Sequence, residues 1–244
     1  MFFQLITIFR AIKFKGNILP ENIPLIEIDS GLQGVVRLAP LFCEGIEIDD
    51  GAALWAVFEP FCAEIARRYE GCTVSGVEGI QKARELYRSI GVDPTRNRPS
   101  SEALIRRLIK GKKLYRINSL VDTINFCSLN CMLPLGLYDL DNVQGESVVL
   151  RRGEAGDFYE GIGKDRVNLE GRYAMYDSAG PFGSPTADSS RTRIRRETVR
   201  ALIVIFAPIG VTPEQLEDNT AFTADAVKNF GGGGPEVSIG TPVR

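Results

Sequence analysis

An α+β fold is what this sequence predicts, with helices gathered in the first half and strands mainly in the second. Three observations lead there. Apolar residues recur at three- and four-residue steps in segments between 51 and 133. After 145 the texture changes to short apolar runs separated by glycine-rich turns. Two apolar runs before 45 have no local partners, so their partners most simply lie beyond 145. That last point argues for a single domain over 1–230, and 244 residues are enough for one good core.

The elements follow in order. MFFQLITIFRAIKFKGN is apolar but broken by Arg10 and Lys13, and it lacks both a basic leader and a small-residue cleavage site. It reads as an extension or a first strand. PLIEIDSGLQGVVRLAPLF, 24–42, reads as two strands around Ser30-Gly31. In 51–70, Trp55, Phe58, Cys62, Ile65 and Tyr69 mark a helix that Pro60 should bend or restart. VEGIQKARELYRSI, 77–90, forms a second helix stopped by Gly91. Ser100 or Ser101 can cap a third that ends at Gly111, and a fourth begins near Asn118 or Ser119 and ends before Pro134. ESVVLRR, DFYEGIG, GRYAMYD and TVRALIVIFAP read as strands. Thr212-Pro213-Glu214-Gln215 opens the last helix with a capping box and a proline at its first position. The tail, 231–244, is expected to be flexible or an edge extension.

Composition excludes much chemistry. The chain has no histidine, which removes Ser-His-Asp and Cys-His triads and most zinc chemistry. Its five cysteines are odd in number and never spaced CxxC, so they read as reduced thiols of a cytosolic protein. Neither a metal nor a cofactor is expected. Glu160-Gly161-Ile162-Gly163-Lys164 lacks the G-x-G-x-x-G pattern and the helix after it. No apolar run approaches the roughly 20 residues that cross a bilayer, so no membrane partner is expected.

Net charge is -2, yet charge is unevenly placed. Between 78 and 116 eleven basic residues face four acids. Arg96, Arg98, Arg106, Arg107, Lys110, Lys112 and Lys113 form an array that would hold a phosphate backbone; a solvated helix surface is the plainer alternative. A second cluster includes Arg191 and Arg193, which alternate as on one face of a strand.

YDSAGPFGSPTADSSRT, 176–192, is the best loop for a site. Gly180 and Gly183 permit close backbone approach, Ser184, Thr186 and Ser189 offer hydroxyls, and Asp188 offers a carboxylate. It is not a Walker loop, and a hairpin link is the plainer alternative. In SLVDTINFCSLNCMLPLGLYDLDN, 119–142, Asp122 and Asn125 share a helix face, and a buried amide there must be bonded. Asp139 and Asp141 read first as turn caps.

Val121-Asp122-Thr123-Ile124-Asn125-Phe126 and Pro134-Leu135-Gly136-Leu137-Tyr138-Asp139-Leu140-Asp141, with Gly145, resemble the run VDxTNYxxxxxGxPLHxxDxDxxxG. That run belongs to the B3/B4 region of the bacterial-type phenylalanyl-tRNA synthetase beta subunit. Ala179 to Asp188 lies without a gap over the same family's AGVMGGxxSE loop, and free-standing proteins built on this domain are closer still. The resemblance covers roughly 75–230.

The resemblance implies a three-layer β-β-α arrangement and an editing activity that hydrolyses the ester of a mischarged tRNA. With no histidine to serve as base, such a hydrolysis would need water oriented by other groups, which makes Asp188, Asn125 and Thr186 the catalytic candidates. Gly136, Tyr138, Glu160, Gly180, Gly183, Ser184 and Ser189 become candidates for lining the substrate pocket. Two departures stand out: the family's histidine is Gly136, which should widen the pocket, and its glutamate is Asp188, one methylene shorter. Asp188 is assigned to ligand recognition first and water activation second, because an unshifted carboxylate is a weak base at neutral pH. The implied partner is tRNA, with aminoacylated tRNA the substrate, and no DNA. A non-catalytic tRNA-binding module and a binder of a free amino acid or related metabolite are the alternatives. A homodimer would cover any apolar face left by separation from a larger synthetase.

Overall fold

The computed structural model describes residues 22–244, apart from the side chains of Lys164 and Asp165. The segment MFFQLITIFRAIKFKGN, expected as an extension or first strand, lies outside the described residues. Among those residues, two sheets, a separate hairpin and five helices make up a mixed fold.

The first sheet is built, in spatial order, from β1 (Leu25–Ile28), β4 (Ser147–Arg152), β7 (Tyr173–Asp177), β8 (Gly180–Ser184) and β9 (Ala187–Asp188). The second is built, again in spatial order, from β11 (Glu236–Ile239), β2 (Val36–Glu44), β10 (Arg200–Pro208) and β3 (Leu135–Asp139). The hairpin joins β5 (Phe158–Gly161) to β6 (Lys164–Asn168). As expected, the early strands pair late: β1 runs parallel to β4, and β2 antiparallel to β10.

The unbroken apolar run of β10 is explained by its two covered faces. Leu202, Val204 and Phe206 join Leu38 and Phe42 of β2 in a core shared with Val148, Leu150, Met175 and Phe182 of the first sheet. Ala201, Ile203, Ile205 and Ala207 point the other way, into a core shared with helices. A strand with both faces buried loses the polar alternation that marks a half-exposed one. The tail expected as flexible or an edge extension takes the second form. β11 pairs with β2, and Val243 exchanges backbone hydrogen bonds with Leu38 at 2.9 and 3.0 Å.

The helices are α1 (Ala52–Arg68), α2 (Ile80–Ser89), α3 (Ser100–Ile109), α4 (Ser119–Cys131) and α5 (Pro213–Phe230). α1 runs through Pro60 without restarting. α2 is followed by Gly91 at φ +73°, and α5 opens on the Thr212–Gln215 capping box. Capping of α3 by a serine does not occur: Pro99 is the N-cap, Ser100 Oγ pairs with Ser128 Oγ at 3.1 Å, and Ser101 is buried. Asn118 does cap α4, accepting from Val121 N–H at 2.9 Å. Asp122 is spent on structure. Its carboxylate accepts Trp55 Nε1–H at 2.8 Å and Ile117 N–H at 3.0 Å, tying α1 to the segment that leads into α4.

Among the described residues no helix is long and apolar enough to cross a membrane, and no group of three or more Cys, Asp or Glu side chains is placed to hold a metal. The cysteines are free thiols; burial pushes Cys43 and Cys62 up to about 12 and keeps them protonated.

Candidate functional site: an aspartate ringed by tyrosines

The hydroxyl-rich loop folds into the β8–β9 hairpin, and three tyrosines from distant elements close on it. Ser184 Oγ accepts from Ala187 N–H at 3.2 Å and lies 2.9 Å from Thr186 Oγ1, so the serine folds the turn back on itself. Tyr159, from β5, donates to Ala187 O at 2.5 Å and sits 3.0 Å from Ser184 Oγ. Tyr87, from α2, donates to Pro185 O. Both ends of the turn are thereby held by buried phenols.

Tyr138, from β3, is the third. Its ring is fully buried and stands edge-on to Phe182, 5.0 Å between centroids. A Cβ on Gly136 would lie 2.3 Å from Tyr138 Oη, and one on Gly183 would lie 2.2 Å from Tyr138 Cε1. The two glycines therefore make room for this ring. Gly136, expected to widen the pocket, is instead filled by a side chain two residues on. The phenol itself has no hydrogen-bond partner among the described residues.

Gly183→Ala tests that packing. The ring is enclosed and cannot retreat, so the new methyl should cost about 2 to 3 kcal/mol. Urea denaturation reads the cost directly. A loss below about 0.5 kcal/mol would mean that the ring moves aside freely.

Asp188 stands among these phenols. It keeps part of its surface, yet protein crowds its carboxyl, and the loss of water raises it from 3.8 to about 7. No side-chain hydrogen bond to it is found among the described residues. Burial pushes Tyr87, Tyr138 and Tyr159 upward, and the charge of Asp188 pushes them further. At neutral pH the result is one carboxyl near its midpoint among three neutral phenols.

The other candidates are scattered. Glu160 is exposed, because strand alternation turns Tyr159 inward and its neighbour outward. Ser189 is buried and bonded to Thr192 Oγ1 at 3.1 Å, a loop tie. Gly180, at φ +113°, shares an open groove with Asp177, Arg151 and Tyr176. Asn125 is half-buried on α4 and has no side-chain hydrogen bond among the described residues, to Asp188 or to any other group. Its neighbours Ile124 and Phe126 pack in helix-side cores, whereas Tyr138 packs between the sheets. Asp139 behaves as the turn cap expected, accepting from Asp141 N–H at 3.2 Å and from Thr198 Oγ1 at 2.8 Å.

Several cations expected to meet phosphate are engaged within the fold. Arg191 grips the buried carboxylate of Asp177 at 2.8 and 3.0 Å. Arg106 lies 3.8 Å from Glu102, and Arg96 3.7 Å from Asp93. Arg107 donates to Lys113 O at 2.9 Å. Lys113 lies 3.7 Å from Glu59. Arg98, Lys110, Lys112 and Arg193 have no acidic partner among the described residues. Tyr87 and Tyr159 were not among the expected site residues, and no local pattern signals them: Asp157-Phe158-Tyr159-Glu160 puts one aromatic on each face of the strand, and it is Tyr159 that is buried while Phe158 is exposed.

Residues 82–223 match the model of the B3/4 domain. Over 132 residues the chain is 28% identical to the phenylalanine–tRNA ligase beta subunit of Protochlamydia amoebophila (strain UWE25), covering 52% of this chain and 16% of that protein. The chain thus spans less than a fifth of that relative's length. A crystal structure of an N-terminal fragment of the phenylalanyl-tRNA synthetase beta-subunit from Pyrococcus horikoshii is similar at a TM-score of 0.43 and 13% identity. That likeness covers 91% of this chain and 54% of the fragment.

Proposed function

Because the chain belongs to the B3/4 domain family, we propose that it is an RNA-facing protein that hydrolyses the ester of a wrongly charged tRNA, on a sheet–sheet–helix frame. The observation that carries this reading is Asp188: a carboxyl lifted to about 7, on a short strand beside Ser184 and Thr186. A general base works best when its midpoint lies near the working pH. A loop carboxylate with an ordinary midpoint would not meet that requirement; one crowded by phenols does. Asp188 would take a proton from water as the water oxygen attacks the ester carbonyl. The bond from the acyl carbon to the tRNA oxygen then breaks, and that oxygen leaves protonated. Ser184 and Thr186 would orient the water or the acyl group. Asn125 has no hydrogen bond to this cage, so the reading does not depend on it.

The pairing of Arg191 with the buried Asp177 carboxylate favours a second reading, a pocket for a free amino acid, because it takes from phosphate the cation nearest the hydroxyl-rich loop in sequence. One experiment separates the two. Incubation with a panel of correctly and wrongly charged tRNAs should release free amino acid above the uncatalysed rate, and Asp188→Ala should abolish the release. No release from any member of the panel, with tRNA still bound, would leave a binding module. No release and no binding would leave the small-molecule reading.

A further inference from the structure

We infer that the extended segment 112–118 is a single-strand track, on which Tyr115 stacks an unpaired base of the RNA. This rests on the RNA-facing reading and names the form of RNA that the surface takes. Tyr115 is 69% exposed, far more than an aromatic ring needs for packing. Its ring is nevertheless held. The Arg107 guanidinium covers one face at 4.1 Å from the centroid, and that guanidinium is itself fixed by donating to Lys113 O at 3.3 and 2.9 Å. At the other end of the segment, Ile117 N–H donates to the buried Asp122 carboxylate at 3.0 and 3.1 Å. Between those anchors the second face of the Tyr115 ring is presented to solvent with little entropy left to lose.

The surroundings suit a strand rather than an apolar partner. Lys110 and Lys112 are unpaired among the described residues. Among those residues Glu59 is the one acid in an ion pair with 112–118, at 3.7 Å from Lys113 and 3.5 Å from Arg116. Ile117, 60% exposed, continues the path into a groove of about 390 Å³ whose lining includes Arg195 and Arg196 together with Asp49 and Asp50. A fixed ring backed by a guanidinium and flanked by lysines is what stacks a base while phosphates are neutralised. A duplex cannot use it, because its base faces are already stacked.

The test measures binding of a labelled oligouridine of about ten nucleotides and, in parallel, of a blunt RNA duplex. Tyr115→Ala should weaken single-strand binding roughly ten-fold and leave duplex binding unchanged. Its dependence on salt should stay as in the wild type, since no phosphate contact is removed. Tyr115→Phe, which keeps the ring, should bind as the wild type does. Lys110→Glu with Lys112→Glu should weaken both forms and flatten the salt dependence. If Tyr115→Ala binds the single strand as well as the wild type while the lysine pair loses it, the track is refuted and the RNA-facing reading stands. If the wild-type protein binds neither form, that reading fails and the track falls with it.

Discussion

Asp188→Asn is expected to lower ester hydrolysis by roughly a hundred- to ten-thousand-fold, the range that a positioned general base supplies. The amide keeps the shape and polarity of the side chain and removes only its ability to take a proton. Because the carboxyl sits at about 7, the wild-type rate should rise about tenfold per pH unit below that value and level off above it. Background hydrolysis, measured without protein, is subtracted. A wild-type rate that is already flat at pH 5 would remove Asp188 as the base.

The same substitution should act on stability with the opposite sign. The folded-state midpoint of Asp188 lies above its ordinary value of 3.8, so the folded protein holds a proton between about 4 and 7 that the unfolded chain has released. Wild-type stability therefore falls as pH rises through that window. The amide carries no such loss. Asp188→Asn should match the wild type near pH 4 and exceed it by about 2 kcal/mol at pH 8, a figure discounted because the carboxyl keeps some contact with water. A variant that is less active yet more stable at pH 8 cannot be explained by misfolding. Equal stability at both pH values would mean that the carboxyl is not raised.

The largest stability effect belongs to a pair outside the cage. Glu102, in the first turn of α3, is 1% exposed, and Arg84 of α2 meets it with two parallel bonds of 2.7 and 2.8 Å. Arg106 adds a more distant charge at 3.8 Å. Arg84→Ala leaves a buried carboxylate with only that second cation, and breaking one side of a buried pair costs about 3 to 5 kcal/mol. Changing both members, Arg84→Met with Glu102→Leu, should recover most of the loss, because neither charge of the pair is then left buried. Urea unfolding of the two variants gives the comparison. A loss under about 1 kcal/mol for Arg84→Ala would show the pair to be as weak as a surface one. Since α2 also carries Tyr87, a loosened α2–α3 contact should disturb the hairpin that holds Asp188.

Much of the frame was legible because its signals are local. Helix periodicity, the Thr212 capping box, the helix start near Asn118 or Ser119 and the Gly91 stop each depend on a few neighbouring residues, and each stands in the structure as the sequence reads. Pairing of the early strands with late ones was also legible, since a strand without a neighbour must find one elsewhere. The serine cap of α3 failed because Ser100 found a partner in Ser128 of α4, a contact no local rule contains.

Sequence alone determined the classes of side chain available: no imidazole, a loop dense in hydroxyls with two carboxylates, and a basic excess between 78 and 116. Tertiary structure decided which of those groups remain free to act. Arg191 is consumed by Asp177 and Arg84 by Glu102, partners 14 and 18 residues away, so charge counted along the chain overstates charge offered to a ligand. Asp188 changed in the other direction. Its identity is written in the chain, but its proton affinity comes from the protein packed about it, which excludes water from its carboxyl. Desolvation depends on everything packed about a group, and that packing exists only once the whole chain has folded.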